Sequence, residues 1–387
     1  MMPILGRPIS ASLAPNAESD DVLRALALLV LPHRWVHGEF PQRVKAWFGK
    51  HLSTPYVYLF NSGRSALFAL LSCAGIGKGD EVLVPAFTCV AVPNSVCWTG
   101  ATPVYVDIDR TYNMDPADAA KKITKRTRAI IIQHTFGIPA DTALIGLARQ
   151  HSLFIIEDCA HSLGATINGI KVGTLGDGAI FSFGRDKVIS SVFGGAATLT
   201  DAGRRISRRM DAYEKSLQYP SPFWTWQQIV HVAAFALILP LYFSVGKVLL
   251  VLLQRLHVLS VPVSREEKQG KQPDDFPRRL PNALAHLALF QLQKLKRFNA
   301  NRRSIAKLYT KSLAHRGDVN APAFAPGATY LRFPIEVANP SPVMQKAKSG
   351  GVLLGHRYGN MIDPRGVDFA AIGYRPGSCP AAERAAR

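Results

Sequence analysis

From about residue 55 to 200 the sequence alternates short apolar runs with helical patterns, and this restricts the fold more than any other feature of the chain. The runs are "EVLVP" (81–85), "TPVYVDI" (102–108), "RAIIIQH" (128–134), "LFIIED" (153–158), "GAIFSF" (178–183) and "GGAATLT" (194–200). Each is short enough for a strand and apolar enough to be buried on both faces, as strands of a helix-covered parallel sheet are. The expected class is therefore α/β, with a mainly parallel sheet flanked by helices. In such sheets ligands collect beyond the carboxyl ends of the strands. Here those ends carry Thr88, His134, Asp158 and Ser182.

At 387 residues the chain exceeds one ordinary core, so a large domain with a smaller companion is expected. It divides into an N-terminal helical segment (1–54), a large domain (55–215), an apolar insertion with a basic loop (216–274), and a long helix leading into a small C-terminal α/β region (275–387). In the last part "NALAHLALFQLQKLKRFNANRRSIAKLYTKSL" reads as an amphipathic helix, "ATYLRFPIEV" as a strand and "PSPVMQKAKSGG" as a helix closed by glycine. "SREEKQGKQPDDFPRR" reads as a loop. The insertion is unusual, because residues 216–246 contain no Asp, Glu, Lys or Arg. A bilayer span needs roughly 20 predominantly apolar residues. "IVHVAAFALILPLYFSVG" approaches that length but carries His231 and a central Pro240. Two readings stay open. Residues 221–262 contact a membrane as a bent hairpin or in-plane element, with Trp224, Trp226 and Tyr242 as interfacial aromatics, or they form an apolar helical pair buried against a partner subunit.

The formal net charge is +19, from 46 Lys+Arg against 27 Asp+Glu, which favours anionic partners: nucleic acid, phosphorylated metabolites or an acidic membrane. The basic residues are dispersed and no nucleic-acid module is present, so nucleic acid is not expected. The five cysteines (Cys73, Cys89, Cys97, Cys159, Cys379) are odd in number and scattered, without a CxxC pair or a zinc-type spacing. That usage fits a reducing cytoplasm, with a position at the inner face of the membrane if the insertion contacts lipid, and no metal site is expected. The N-terminus lacks the charged start and apolar run of a secretory signal.

Three stretches carry chemistry. In "NSGRSALFALL" small residues precede an apolar helical run, and a helix start of that kind suits a phosphate, although plain capping gives the same pattern. In "FIIEDCAHSLGA" Asp158 ends an apolar strand with His161 three residues on. A carboxylate there is costly to bury without a cation or donor; a protonated ring nitrogen of a cofactor serves, and so does a helix N-cap. In "AIFSFGRDKVISSVFGGAATL" Ser182 and Lys187 bracket a turn. A lysine in an apolar cleft loses proton affinity, and its neutral amine can form a Schiff base with an aldehyde; a solvated turn lysine is the plainer alternative.

Taken in order, these pieces resemble the DegT/DnrJ/EryC1/StrS aminotransferases, the sugar aminotransferase branch of the fold-type I pyridoxal phosphate enzymes. The carriers are "NSGRSAL", "GIGKGDEVLVPAFTCVAVPNSVCWTGATPVYVDID", "YNMDP", "TRAIIIQHTFGIPAD", "FIIEDCAHSLGA", "VGTLGDGAIFSFGRDKVIS" and "GYRPGSCPAAERAAR". They cover residues 55–200 densely and 275–387 more loosely. The resemblance implies a mainly parallel seven-stranded sheet and pyridoxal 5'-phosphate as cofactor. It makes Lys187 the Schiff-base lysine and proton shuttle, and Asp158 the partner of the pyridinium nitrogen. The Gly63, Arg64 and Ser65 amides, with the Ser65 and Ser182 hydroxyls, would hold the phosphate, and His161 would lie near the ring. It further implies glutamate as donor, a nucleotide-linked keto-sugar as acceptor, and a homodimer.

The sequence departs from the family in four places. Cys89 stands where an aromatic residue usually stacks on the cofactor, leaving Phe87 as a possible substitute, and Pro277 replaces an asparagine that reaches the partner's phosphate site, with Asn282 five positions along. The apolar segment at 216–260 is longer than the family's connector. Family members also continue past "AERAAR", so the small C-terminal domain is expected to be incomplete. A non-enzymatic membrane or structural role for a cofactor-binding remnant is the alternative these departures support.

Overall fold

The computed structural model describes residues 6–10, 12–14, 16–355 and 359–386. Seven strands form the central sheet: β1 (Val57–Phe60), β2 (Glu81–Pro85), β3 (Thr102–Val106), β4 (Thr127–Gln133), β5 (Phe154–Asp158), β6 (Gly178–Ser182) and β7 (Gly195–Leu199). Their spatial order is β1-β7-β6-β5-β4-β2-β3. The β2–β6 pairings are parallel, and β7 runs antiparallel to both β6 and β1. Of the seven, β1 was not anticipated. Its four residues, "VYLF", are all buried and too few to show a period.

Successive residues of each strand serve different cores because side chains alternate across a sheet. Val82, Val84, Ile131 and Ile156 face the core beneath the helix Gly63–Cys73, while Leu83, Ile130, Ile132 and Ile155 face the core beneath the helix Ala143–Gln150. A third core packs Phe48, Phe181 and Ala196 against Leu284 and Ala288 of the long helix. That helix runs from Asn282 to Leu313, as its periodicity predicts.

The expected strand at 328–337 is not formed beyond Glu336–Val337, which pairs with Val319–Asn320. The preceding residues are pinned to the strand-end loops instead. The Thr329 amide donates to the Gly137 carbonyl, the Thr329 hydroxyl to the His161 carbonyl, and Arg332 pairs with Asp186 at 2.6 Å. Within the expected basic loop, Arg265–Lys268 forms a short helix whose N-terminus is capped by Ser264. The apolar insertion folds as two helices, Pro222–Ile238 and Lys247–Arg255, with the turn Tyr242–Gly246 after Pro240. Among the described residues no helix is long and apolar enough to cross a membrane.

Gly195 lets β7 close on the turn that starts the Gly63–Cys73 helix. A Cβ at this position would lie 2.6 Å from the Ser62 carbonyl and the Gly63 nitrogen, backbone atoms that cannot swing aside. Gly195→Ala is therefore expected to cost about 1–3 kcal/mol as overpacking, read as a lowered urea midpoint at unchanged slope.

Candidate active site

The carboxyl ends of β4, β5 and β6, the start of the Gly63–Cys73 helix and the segment Pro262–Lys268 surround a cavity of about 420 Å³. Lys187 enters from the loop after β6, and its Nζ lies 2.9 Å from His161 Nε2. The Phe136 amide donates to His161 Nδ1, which leaves the ring hydrogen on Nε2. In its neutral form the Lys187 amine has the lone pair to accept it. The backbone of the lysine is held just as firmly. Asn16 Nδ2 donates to the Lys187 and Val188 carbonyls at 2.8 and 3.0 Å, and Arg302 ties Asn16 Oδ1 and the Val188 carbonyl to the long helix.

Asp158 closes β5 at the cavity floor and is 5% exposed. Burial raises its pKa, against the opposing pull of the Ala160 amide and the charges of Lys187 and His134. Its neighbour Glu157 is fully buried on the opposite face and accepts from the Gly173, Leu175 and Gly176 amides and from His134. Burial works to raise the Glu157 pKa as well, but His134 and the amides prevail and lower it. The sign follows from that direction. A depressed carboxylate contributes stability above its ordinary value of 4.5 and loses it as pH falls through the folded-state value. His134→Leu should cost roughly 2 kcal/mol at neutral pH, the worth of a hydrogen bond to a charged group. Unfolding curves at pH 7 and in mild acid should show the gap narrowing as Glu157 is protonated.

At the opposite end Ser62 caps the Gly63–Cys73 helix by accepting from the Ser65 amide, leaving the Gly63 and Arg64 backbone at the cavity wall beside Ser182. A Cβ on Gly63 would lie 2.9 Å from that of Ser182, so glycine keeps the cradle open. Ser65 lies behind the wall. Its amide goes to Ser62 and its hydroxyl to Asn61 Oδ1, which corrects the expectation that Ser65 faces a phosphate. Phe87 is likewise displaced from its expected place against a ring: it is 1% exposed, packs on Tyr112 and Phe136, and its carbonyl accepts from Gln133. Cys89 and His161 do line the cavity. Asn282, five positions after Pro277, donates to the Arg34 carbonyl and accepts from the Phe40 amide.

Sequence reasoning did not single out Gln133, Arg185, Asn16 or Arg302. Gln133 is the polar last residue of an apolar strand, and Thr88, Phe87 and Thr135 fix its amide at the cavity wall. The strand end was therefore a usable signal. Arg185 lines the cavity and bonds Ser260, and burial pulls its pKa down to about 9. Arg64 is treated similarly: its guanidinium pairs with Glu267 and donates to the Pro262 carbonyl, and burial lowers it to about 10. No local pattern marks Asn16, which reaches its site across 171 residues.

A buried carboxylate at the floor, an amine in the middle and a small-residue helix start at the far wall, set on this strand order, define a pyridoxal phosphate protein of fold-type I. The chain belongs to the DegT/DnrJ/EryC1/StrS aminotransferase family, whose model matches residues 18–215 and 252–387. It is 40% identical over 192 residues to GDP-perosamine synthase of Caulobacter vibrioides (49% of this chain, 51% of that protein). To UDP-N-acetyl-3-dehydro-alpha-D-glucosamine 3-aminotransferase of Acidithiobacillus ferrooxidans it is 44% identical over 151 residues (38% and 41%). The chain spans about half the length, or less, of these relatives. The Bacillus subtilis protein NtdA, solved with its cofactor PMP bound, shares the fold with a TM-score of 0.70 at 21% identity, over 95% of this chain and 77% of that one. The cofactor that family membership brings is pyridoxal phosphate.

Proposed function

We propose that the protein is an aminotransferase that moves an amino group from glutamate to a nucleotide-linked keto-sugar. The observation that carries this reading is the contact between the Lys187 amine and His161 Nε2 inside a cavity floored by Asp158. Pyridoxal phosphate, when bound, supplies an aldehyde and an electron-withdrawing ring. Lys187 is the group to hold it covalently, and Asp158 the one to face its ring nitrogen. The buried carboxylate would gain the cationic partner that its surroundings otherwise provide only weakly. The Gly63 and Arg64 amides and the Ser182 hydroxyl suit its phosphate, because a helix start concentrates unpaired N–H groups and positive dipole.

Once substrate is present, the Lys187 amine is placed to take and return a proton, with the His161 hydrogen bond holding its lone pair in line. Arg64, Arg185 and Lys268 give the cavity wall positive charge, which suits both the carboxylates of glutamate and the diphosphate of a nucleotide sugar. The relatives named above act on GDP- and UDP-linked sugars by their names, which supports the acceptor class. A homodimer is part of the reading. The test is a screen of keto-sugar nucleotides with glutamate, following 2-oxoglutarate release and the amino-sugar product by mass spectrometry. Glutamate-dependent product from one nucleotide series establishes the reading. Cofactor binding without product from any acceptor supports the non-catalytic alternative.

A further inference from the structure

Residues 216–251 fall outside the family match, so family membership assigns them no role. They contain most of the helix Lys247–Arg255, in which residues Val248–Leu253 are all apolar. Leu249, Leu250 and Leu253 pack inward with Ile238, Leu239 and Leu259. Val248, Val251, Leu252 and Leu256, spaced i, i+3, i+4 and i+8, point outward and are 70, 42, 48 and 61% exposed. Leu237 and Val245 add to the exposed apolar surface of the same insertion. An ordinary surface helix carries polar residues on that face, and a stripe of this kind requires a covering partner.

Charge distinguishes the candidate partners. No Asp or Glu occurs between Glu214 and Glu266, whereas Lys215, Lys247, Arg255 and Arg265 do. Lys247 and Arg255 sit at the two ends of the exposed stripe and are themselves exposed. A two-fold contact with a second copy would set this patch against itself, opposing basic residues with no acid in the segment to pair with them. An anionic bilayer satisfies both halves of the patch, the apolar stripe in the acyl boundary and the flanking cations at the headgroups.

We infer that the outward face of the Lys247–Arg255 helix docks in the plane of an anionic lipid bilayer. The chain passes from Leu256 to Pro262, at the cavity wall, in six residues, so the cavity mouth lies within about 20 Å of the docked helix along the backbone. Ser260, Pro262 and Glu267, which follow directly, hold Arg185 and Arg64. Docking thus brings the site to substrates delivered at a membrane surface. The inference is independent of the acceptor proposed above, because it rests on the insertion and not on the chemistry of the cavity.

The test is flotation of the full chain, loaded with pyridoxal phosphate, with phosphatidylcholine vesicles and with equal mixtures of phosphatidylcholine and phosphatidylglycerol. The protein is expected to float with the anionic vesicles. Val248→Glu/Leu252→Glu should lower the floated fraction at least about tenfold, with the cofactor's visible absorbance and the mass in solution unchanged. Lys247→Gln/Arg255→Gln, which leaves the apolar stripe intact, should lower it by about tenfold on anionic vesicles. Failure of the wild type to float, or equal flotation of the variants, overturns the inference. So does a drop in oligomeric mass in the glutamate variant, since the face would then be a contact between copies.

Discussion

Lys187→Ala is expected to abolish covalent attachment of pyridoxal phosphate and to reduce amino transfer by at least about a thousandfold, the scale set by removing a nucleophile from a catalytic unit. The reason is geometric. The Lys187 amine is positioned by the His161 hydrogen bond, and its backbone is clamped by Asn16 and Arg302. Lys268, which also lines the cavity, is committed to the Arg365 carbonyl. The variant should still fold, since alanine leaves the Lys187 carbonyl available to Asn16. Absorbance of the dialysed, cofactor-treated protein and a product assay check both parts, and a retained visible band together with retained turnover would remove Lys187 from its proposed role.

Asp158→Asn is expected to separate attachment from chemistry. The amide keeps the shape of the side chain and its bond from Ala160, so the cofactor should still attach to Lys187. Amino transfer should fall by about a hundredfold or more, as it does when one preorganised charge is removed from a site. Stability should move the other way in the cofactor-free chain. Burial raises the Asp158 pKa, so the folded form binds its proton more tightly than the unfolded chain, and the carboxylate's contribution to stability declines as pH rises past its ordinary value. Asparagine removes that penalty, and the cofactor-free variant should melt no lower than wild type at neutral pH. Loading with cofactor should stabilise wild type more than the variant, because only the carboxylate gains from a cationic ring nitrogen. Equal stabilisation of the two proteins by cofactor would deny Asp158 that role.

Much of this was legible in the chain because parallel strands write themselves as short apolar runs, and a polar residue at the end of a run marks the site. Asp158, Ser182 and Gln133 are of that kind, although Gln133 was passed over in favour of its neighbour His134. His134 instead points away, to Glu157. Ser65 and Phe87 were misplaced because the sequence does not say which hydroxyl a helix cap consumes or which side of a strand end a ring occupies. A local capping bond to Ser62 holds Ser65, and a tertiary bond from Gln133 holds the Phe87 backbone. Asn16 and Arg302 carry no periodic or motif signal, and their role depends on chain segments 286 residues apart meeting at the Val188 carbonyl. The ten-residue strand expected at 328–337 failed for a related reason, since its β-rich composition is spent on pinning the loops at Gly137 and His161.

The covalent anchor is the central claim, and borohydride reduction of the cofactor-loaded protein followed by peptide mass spectrometry tests it most directly. Reduction fixes a Schiff base as a stable secondary amine, so the modified residue can be read from fragment masses. The account predicts the pyridoxyl phosphate adduct on Lys187 and its disappearance when glutamate is added before reduction. An adduct on Lys268 or another lysine, or none on a protein with a full visible band, would contradict it.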